Sequence, residues 1–354
     1  AIFFMSLLLL QLPIGRGHPN YLNLLKKELN IPYYYLEIPL NLPKIKFLNL
    51  IYKNSPKYLF FYNKLRKKGK VPNYLIKGIR KEIEKILPKE ETFIIVSHPL
   101  LAKALEDKNI YYLHGEIAFP KEAVCKAKKI FVPLAITKEK AKAYGIKEEN
   151  IVITNLFVEK ELAILKTKAY EERIKRIKDK KRLTGAIFLS GAYPQPHIKK
   201  IIKYSKILLE NNIRVYLFSF PTYLFYFERK LFPYGINLIK IYNWEDELIK
   251  FSQIFLTVDF FIAASHERIN WALGLSLPMF VLTPFIGSYA KENYEIARNY
   301  NACFLINELK NFLKESLYEK LLTMNESTHN KFSLDGAKNT AFIIEKELSN
   351  LNYL

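Results

Sequence analysis

Cysteine is almost absent from this chain. Cys125 and Cys303 stand far apart, and no Cys/His spacing of a metal site accompanies them. That excludes a disulfide framework and a zinc-ribbon class of protein, and it fits a reducing compartment. Glycine is scarce, 12 of 354 residues, and no Gly/Ser-rich or Pro-rich tract separates one half from the other. No apolar run approaches the ~20 residues that span a bilayer. The longest opens the chain, Ala1 to Leu10, broken only by Ser6. A signal peptide would carry a basic stretch before such a run and a small-residue cleavage site after it. This run has neither and passes straight into Gly15-Arg16-Gly17-His18, so a buried parallel strand is expected. The missing initiator Met implies a few residues before Ala1. Acid is missing too: residues 38–81 hold twelve Lys/Arg and no Asp or Glu.

What is present is positive charge, +21 net, unevenly placed. Residues 1–165 carry 28 Lys/Arg against 15 Asp/Glu, residues 166–183 nine against three, and residues 184–354 only 18 against 16. The excess lies in the first half and at the joint. Such a field attracts anionic lipid, nucleic acid or phosphorylated substrates.

Strand and helix patterns alternate. Apolar runs of strand length are Ile2–Leu10, Phe93–Val96, Ile110–Leu113, Ile130–Val132, Ala186–Leu189, Val215–Phe218, Phe260–Ala263 and Met279–Leu282. Lys/Glu-rich helical periods follow most of them, as at Tyr21–Leu29, Leu100–Leu105, Ile198–Leu209 and Glu292–Ala297. This is the signature of parallel sheets covered on both faces, and it runs through twice. The expected organisation is a first Rossmann-like domain over 1–165, a charged linker over 166–183, a second Rossmann-like domain over 184–331 and a closing helix within 332–354. Ligands of doubly wound sheets bind beyond the carboxyl ends of the strands.

Three short motifs sit at such ends in the first half. Gly15-Arg16-Gly17-His18 joins the first strand to the first helix. Its glycines permit a tight turn, the helix start offers free N–H groups to an anion, and His18 can act as a base near neutral pH. Ser97-His98 follows the strand Phe93–Val96, and His114-Gly115-Glu116 follows Ile110–Leu113. In a parallel sheet these ends share one edge, so His18, His98, His114 and Glu116 are expected to converge. Capping of turns is the bland alternative for each. In the second half, Ser190-Gly191 closes the new first strand. Ser265-His266-Glu267, with Asn270, leads into a helix, and Glu292-Asn293 follows the next strand. Hydroxyls and small residues there suit a diphosphate, and a polar pair suits a sugar.

In this order the motifs resemble MurG-type glycosyltransferases, the group of the lipid II-forming N-acetylglucosaminyltransferase and the monogalactosyldiacylglycerol synthases. GRGHPNYLNLLKKEL is similar to the family's Gly-x-Gly-His loop and first helix. YYLHGEIAFPKEAVCKAKKIFVP resembles its His-Glu segment, and GIKEENIVITNLFV the close of its first domain. AIFLSGAYPQP resembles the opening of its donor domain, FIAASHERINWALGLSLPMFVLTPF its donor helix and strand, and ENYEIA its Asp-Gln-x-x-Asn-Ala stretch. The resemblance implies a GT-B fold: two doubly wound Rossmann-like domains facing a cleft, with the C-terminal helix closing back on the first. It also implies metal-independent hexosyl transfer without a cofactor. A nucleotide-sugar donor, UDP-linked in the family, would be held by Ser190, Gly191, Ser265, His266, Glu267, Asn270, Glu292 and Asn293. A lipid or lipid-linked acceptor would lie near Gly15, Gly17, Ser97, His98 and His114, with His18 or Glu116 taking its proton. Trp271 stands where the family carries a donor-binding Glu.

Residues 57–81 add nine cations and five aromatics without an acid. Lys57, Phe60, Phe61, Lys64, Arg66, Lys67, Lys68 and Lys70 fit the headgroup layer of an anionic membrane. Nucleic acid is the weaker candidate and a solvated face the bland one. The expectation is a cytoplasmic protein, peripheral on the inner face of a membrane. Two rivals share the fold: a sugar-nucleotide epimerase, which needs no membrane patch, and a non-catalytic protein that binds anionic ligands.

Overall fold

The computed structural model describes residues 6–12, 17–38, 73–87, 92–190 and 194–350. Gly15, Gly191 and the basic aromatic residues Lys57, Phe60, Phe61, Lys64, Arg66, Lys67, Lys68 and Lys70 lie outside them. The chain forms two units, Ala1–Phe157 with Ser333–Leu354, and Val158–Phe332.

Unit 1 holds a six-stranded sheet. In chain order its strands are β1 Ser6–Gln11, β2 Tyr33–Glu37, β3 Thr92–Val96, β4 Ile110–Leu113, β5 Lys129–Val132 and β6 Ile151–Ile153. The spatial order is β2-β1-β3-β4-β5-β6, and every pairing is parallel. The helices between them are α1 Gly17–Glu28, α2 Asn73–Glu84, α3 Pro99–Ala104 and α4 Ala135–Ala143. β1 explains the apolar opening run. Leu8 and Leu10 pack on one face with Ile79, Ile83 and Leu101, while Leu7 and Leu9 pack on the other with Leu22 and Leu25. A strand covered on both faces has no polar alternation.

Unit 2 repeats the plan with β7 Thr184–Phe188, β8 Arg214–Ser219, β9 Asn237–Lys240, β10 Phe260–Ala263, β11 Met279–Val281 and β12 Cys303–Leu305. Its order is β12-β11-β10-β7-β8-β9, again all parallel. In chain order its helices are α5 Lys160–Ala163, α6 Lys166–Lys178, α7 Gln195–Glu210, α8 Pro221–Leu231, α9 Trp244–Ile254, α10 Ile269–Gly274, α11 Ala290–Asn299, α12 Ile306–Glu315 and α13 Leu317–Thr328. One face mixes aliphatic and aromatic groups, with Ile187, Val215, Leu217 and Ile262 beside Phe260, Phe280 and Phe304 beneath α7 and α12. The other is aromatic: Phe188 stacks on Phe218 at 4.7 Å and meets Phe251 edge-on at 4.9 Å.

The passage between units falls at Phe157 and Val158, earlier than the charged stretch expected as a linker. Residues 166–178 of that stretch are α6, a working helix of unit 2. Its Arg173 is fully buried and donates to Val258 O at 3.1 Å, and to Ser276 O and Asn325 Oδ1 at 2.8 Å each. Arg176 Nε binds Asp259 Oδ1 at 3.0 Å, and Thr184 N donates to the other oxygen of Asp259 at 2.8 Å. The charge of α6 is thus partly internal.

The closing helix is α14, Gly336–Asn350, and it belongs to unit 1. Ala341, Ile344 and Leu348 pack with Leu22 and Leu25 of α1. Gly336 is required at its start, because a Cβ there would lie 2.6 Å from Asn155 O. Among the described residues no helix is long and apolar enough to cross a membrane.

Candidate functional site

Each sheet order contains one point where successive connections leave in opposite directions. In unit 1 it lies between β1 and β3, in unit 2 between β7 and β10. Crevices beyond the carboxyl ends at such points take ligands.

At the unit 1 point the structure brings together three of the expected residues. Ser97, just past β3, donates its hydroxyl to His18 O at 2.7 Å and so fixes the start of α1. The rings of His18 and His98 lie 4.7 Å apart at 60°. His98 caps α3, its Nδ1 accepting from Leu100 N at 3.1 Å. That bond assigns the proton of a neutral ring to Nε2. Gly17 is the first residue of α1.

His114 takes a different role. Its Nε2 lies 2.7 Å from Ala118 O and its Nδ1 3.1 Å from Tyr112 Oη. Only an Nε2–H can serve a carbonyl, so Nδ1 accepts from the tyrosine. Burial holds this ring down at about 4, and it is neutral at physiological pH. It fixes the loop after β4 and does not join the His18–His98 pair. Gly115 is sterically required beside it, since a Cβ would lie 2.5 Å from the Tyr21 ring. Glu116 follows, 2% exposed.

At the unit 2 point two of the expected side chains fasten loop to helix. Ser265 donates to Ala290 O at 2.6 Å, and Asn293 Nδ2 donates back to Ser265 O at 3.0 Å. These two expected donor residues tie α11 to the loop after β10. Glu267 lies 3.9 Å from Arg268 Nη1, Asn270 is buried in α10, and Glu292 is half-buried in the first turn of α11. The Ser190 hydroxyl, past β7, is buried and has no partner among the described residues.

Sequence reasoning missed His197 and Lys200, which lie here. His197, in the first turn of α7, donates Nε2–H to Pro284 O at 2.8 Å, which leaves Nδ1 as a buried acceptor without a partner among the described residues. Burial holds its ring at about 4, and repulsion from His266 and Lys200 adds to that. Lys200, one turn on, donates to the Thr283 hydroxyl after β11. Burial lowers its amine, and Lys203 lowers it further. The carboxyl edge of this sheet therefore carries the open start of a sixteen-residue helix, an unpartnered hydroxyl, a lysine and two histidines. The positive end of the helix dipole and the Lys200 ammonium suit a phosphate. The signal was available in the sequence: His197 opens the helix after β7 much as His18 opens the helix after β1.

Arg268 was also missed. Its guanidinium reaches across the switch point to Leu189 O at 3.4 Å, binds Glu247 Oε1 at 2.6 Å, and lies 4.6 Å over the Phe188 ring. Beside it, Trp271 stacks on Phe251 at 5.1 Å and donates Nε1–H to Glu159 Oε2 at 2.6 Å. A carboxylate is therefore present next to position 271, delivered from the residue before α5. Among the described residues no group of three or more His, Cys, Asp or Glu is arranged to hold a metal.

No family model matches this chain, and no curated protein matches it. Solved structures do. MnaA of S. aureus, in a co-structure with UDP, is 12% identical over 99% of this chain and 98% of its own, with a TM-score of 0.62. UDP-GlcNAc 2-epimerase from Neisseria meningitidis, bound to UDP-GlcNAc, is 12% identical over 98% of this chain and 100% of its own, at 0.59. The Methanocaldococcus jannaschii UDP-GlcNAc 2-epimerase with UDP-GlcNAc and UDP is 12% identical, with the same coverage, at 0.54. The two six-stranded parallel sheets with flanking helices are those of the GT-B fold.

Proposed function

We propose that this chain acts on a nucleoside-diphosphate sugar, with the diphosphate taken at the carboxyl edge of the unit 2 sheet. The observation that carries the reading is the group at the start of α7: the Ser190 hydroxyl, the Lys200 amine and the open Nδ1 of His197. The UDP and UDP-GlcNAc bound in the structural neighbours fit the same ligand class. Negative charge grows on a departing nucleoside diphosphate, and a fixed ammonium, a hydroxyl and the helix dipole there stabilise it without reorganising. The buried His197 Nδ1 is an acceptor that a ligand hydroxyl can satisfy.

For the chemistry we propose sugar transfer to a lipid or lipid-linked hydroxyl at a membrane surface, in the manner of the MurG-type enzymes. His18 is the base, set beside His98, with Glu116 as the second candidate. Unit 1 binds the acceptor. The test is His18→Ala. Transfer of label from a UDP-hexose to a lipid extract should fall by about two orders of magnitude, the usual worth of a positioned base, while UDP binding persists. Full transfer by this variant would remove His18 from the mechanism.

Epimerisation of the sugar nucleotide is the second reading, and the likeness to two UDP-GlcNAc 2-epimerases favours it. Incubation with UDP-GlcNAc and no acceptor separates the two. An unchanged sugar supports transfer; an epimer at equilibrium establishes the rival.

A further inference from the structure

Among the described residues seven aromatic side chains are largely exposed, and five of them, Phe225, Tyr226, Phe232, Tyr234 and Tyr242, fall between positions 225 and 242 of unit 2. Four of the five lie along α8 and the turn that follows it. α8 reads PTYLFYFERKL, yet only Phe227 and Leu231 are buried. Phe225 is 74% exposed and Phe232 is 70% exposed. With Arg229 they stand at positions i, i+4 and i+7, the spacing of one helical face. Tyr226 and Lys230 run beside them.

A basic stripe adjoins this face. On α7, Lys199, Lys203 and Lys206 repeat the same spacing, and Lys206 Nζ lies 4.6 Å over the Tyr234 ring. That contact joins the lysine stripe of α7 to the aromatic stripe of α8. From 195 to 235 the chain holds seven Lys/Arg against two Asp/Glu, Glu210 and Glu228. Residues 184–354 as a whole are close to balanced, 18 Lys/Arg against 16 Asp/Glu, so the charge on this face is local.

We propose that this face of unit 2, α8 with the turn Phe232–Tyr234 and the α7 lysines, docks on the headgroup layer of an anionic lipid bilayer. Phenol rings have their preferred depth at that layer, the apolar body covered and the hydroxyl wet, and phenyl rings beside them bury at the acyl boundary just beneath. Arg229, Lys230 and the α7 amines meet lipid phosphates at the same level, each adding attraction that salt screens. The face shares no residue with the segment 57–81, and the inference does not depend on the sugar chemistry proposed above.

The experiment is vesicle partitioning of the whole chain with a reporter at the site. Phe225→Trp places an indole on the exposed face. With vesicles of phosphatidylcholine and phosphatidylglycerol it is expected to shift to the blue and to be quenched by brominated lipid, beyond the change seen in the parent protein. High salt or phosphatidylcholine alone should abolish the effect. The double variant Phe225→Ser, Phe232→Ser, at two surface positions, should keep its thermal midpoint and bind anionic vesicles at least about tenfold more weakly, since two rings no longer leave water. Vesicle binding without a spectral change at position 225 overturns the proposal and assigns binding to another surface. Equal binding by the double variant overturns it too, as does binding to RNA in place of vesicles.

Discussion

At the scale of single residues, the histidines divide by what their nitrogens already do. His114 and His197 both donate Nε2–H to a carbonyl, and burial holds both rings at about 4. Above the ordinary value of 6.5 the folded and unfolded rings are both neutral, and neither affects stability. Below it the unfolded ring takes a proton that the folded ring refuses. Stability is then lost as pH falls, until the folded ring protonates near 4. Each histidine should cost about 1.4 kcal/mol per pH unit across that window. Both tryptophans, Trp244 and Trp271, lie in unit 2, so their fluorescence during urea unfolding reads that unit. His197→Asn should flatten the pH dependence of unit 2 by about that amount; an unaltered slope would show that the ring is charged when folded. Trp271 makes a related point. The sequence shows a carboxylate missing at this position, but only the structure shows Glu159 brought to the indole nitrogen, because the two are 112 residues apart.

At the scale of elements, the legible strands were the interior ones. The eight apolar runs correspond to β1, β3, β4, β5, β7, β8, β10 and β11. β2, β6, β9 and β12 gave no such run, and these four are the edges of the two sheets. An edge strand is covered on fewer sides, as the half-exposed pattern of Asn237–Lys240 illustrates, so it needs no continuous apolar stretch. The stretch 166–183 misled for a different reason. A run of charges reads as solvated, yet Arg173 inside it is fully buried, and burial pulls its guanidinium down to about 9. Its fork serves three acceptors on three segments of unit 2. Arg173→Met should destabilise unit 2 by about 3–5 kcal/mol, because the acceptors lose their donor and Asp259 loses one of two neighbouring cations. Arg173→Lys should recover little, since a single amine cannot reproduce the fork. A shift of the tryptophan-monitored urea midpoint measures both; a loss under about 1 kcal/mol would mean the network is dispensable.

At the scale of the whole molecule, the repeated strand–helix alternation and the order of the motifs sufficed to read the GT-B fold from a chain that shares only 12% of its residues with its structural neighbours. The site was only partly legible. Ser97, His98 and His18 were readable because strand ends announce themselves. Lys200 was hidden inside a helical period, where a cation reads as a solvated face, whereas His197 and Arg268 stand at helix starts and could be read in the way that His18 was. The central claim is that the carboxyl edge of the unit 2 sheet holds a nucleoside diphosphate. Calorimetric titration of UDP into the parent protein and into Lys200→Met tests it most directly. The account predicts saturable binding at one site, weakened at least about tenfold in the variant by loss of one charge-assisted contact, with the unfolding midpoint of unit 2 unchanged. Absence of saturable UDP binding, or equal affinity in the variant, would contradict it.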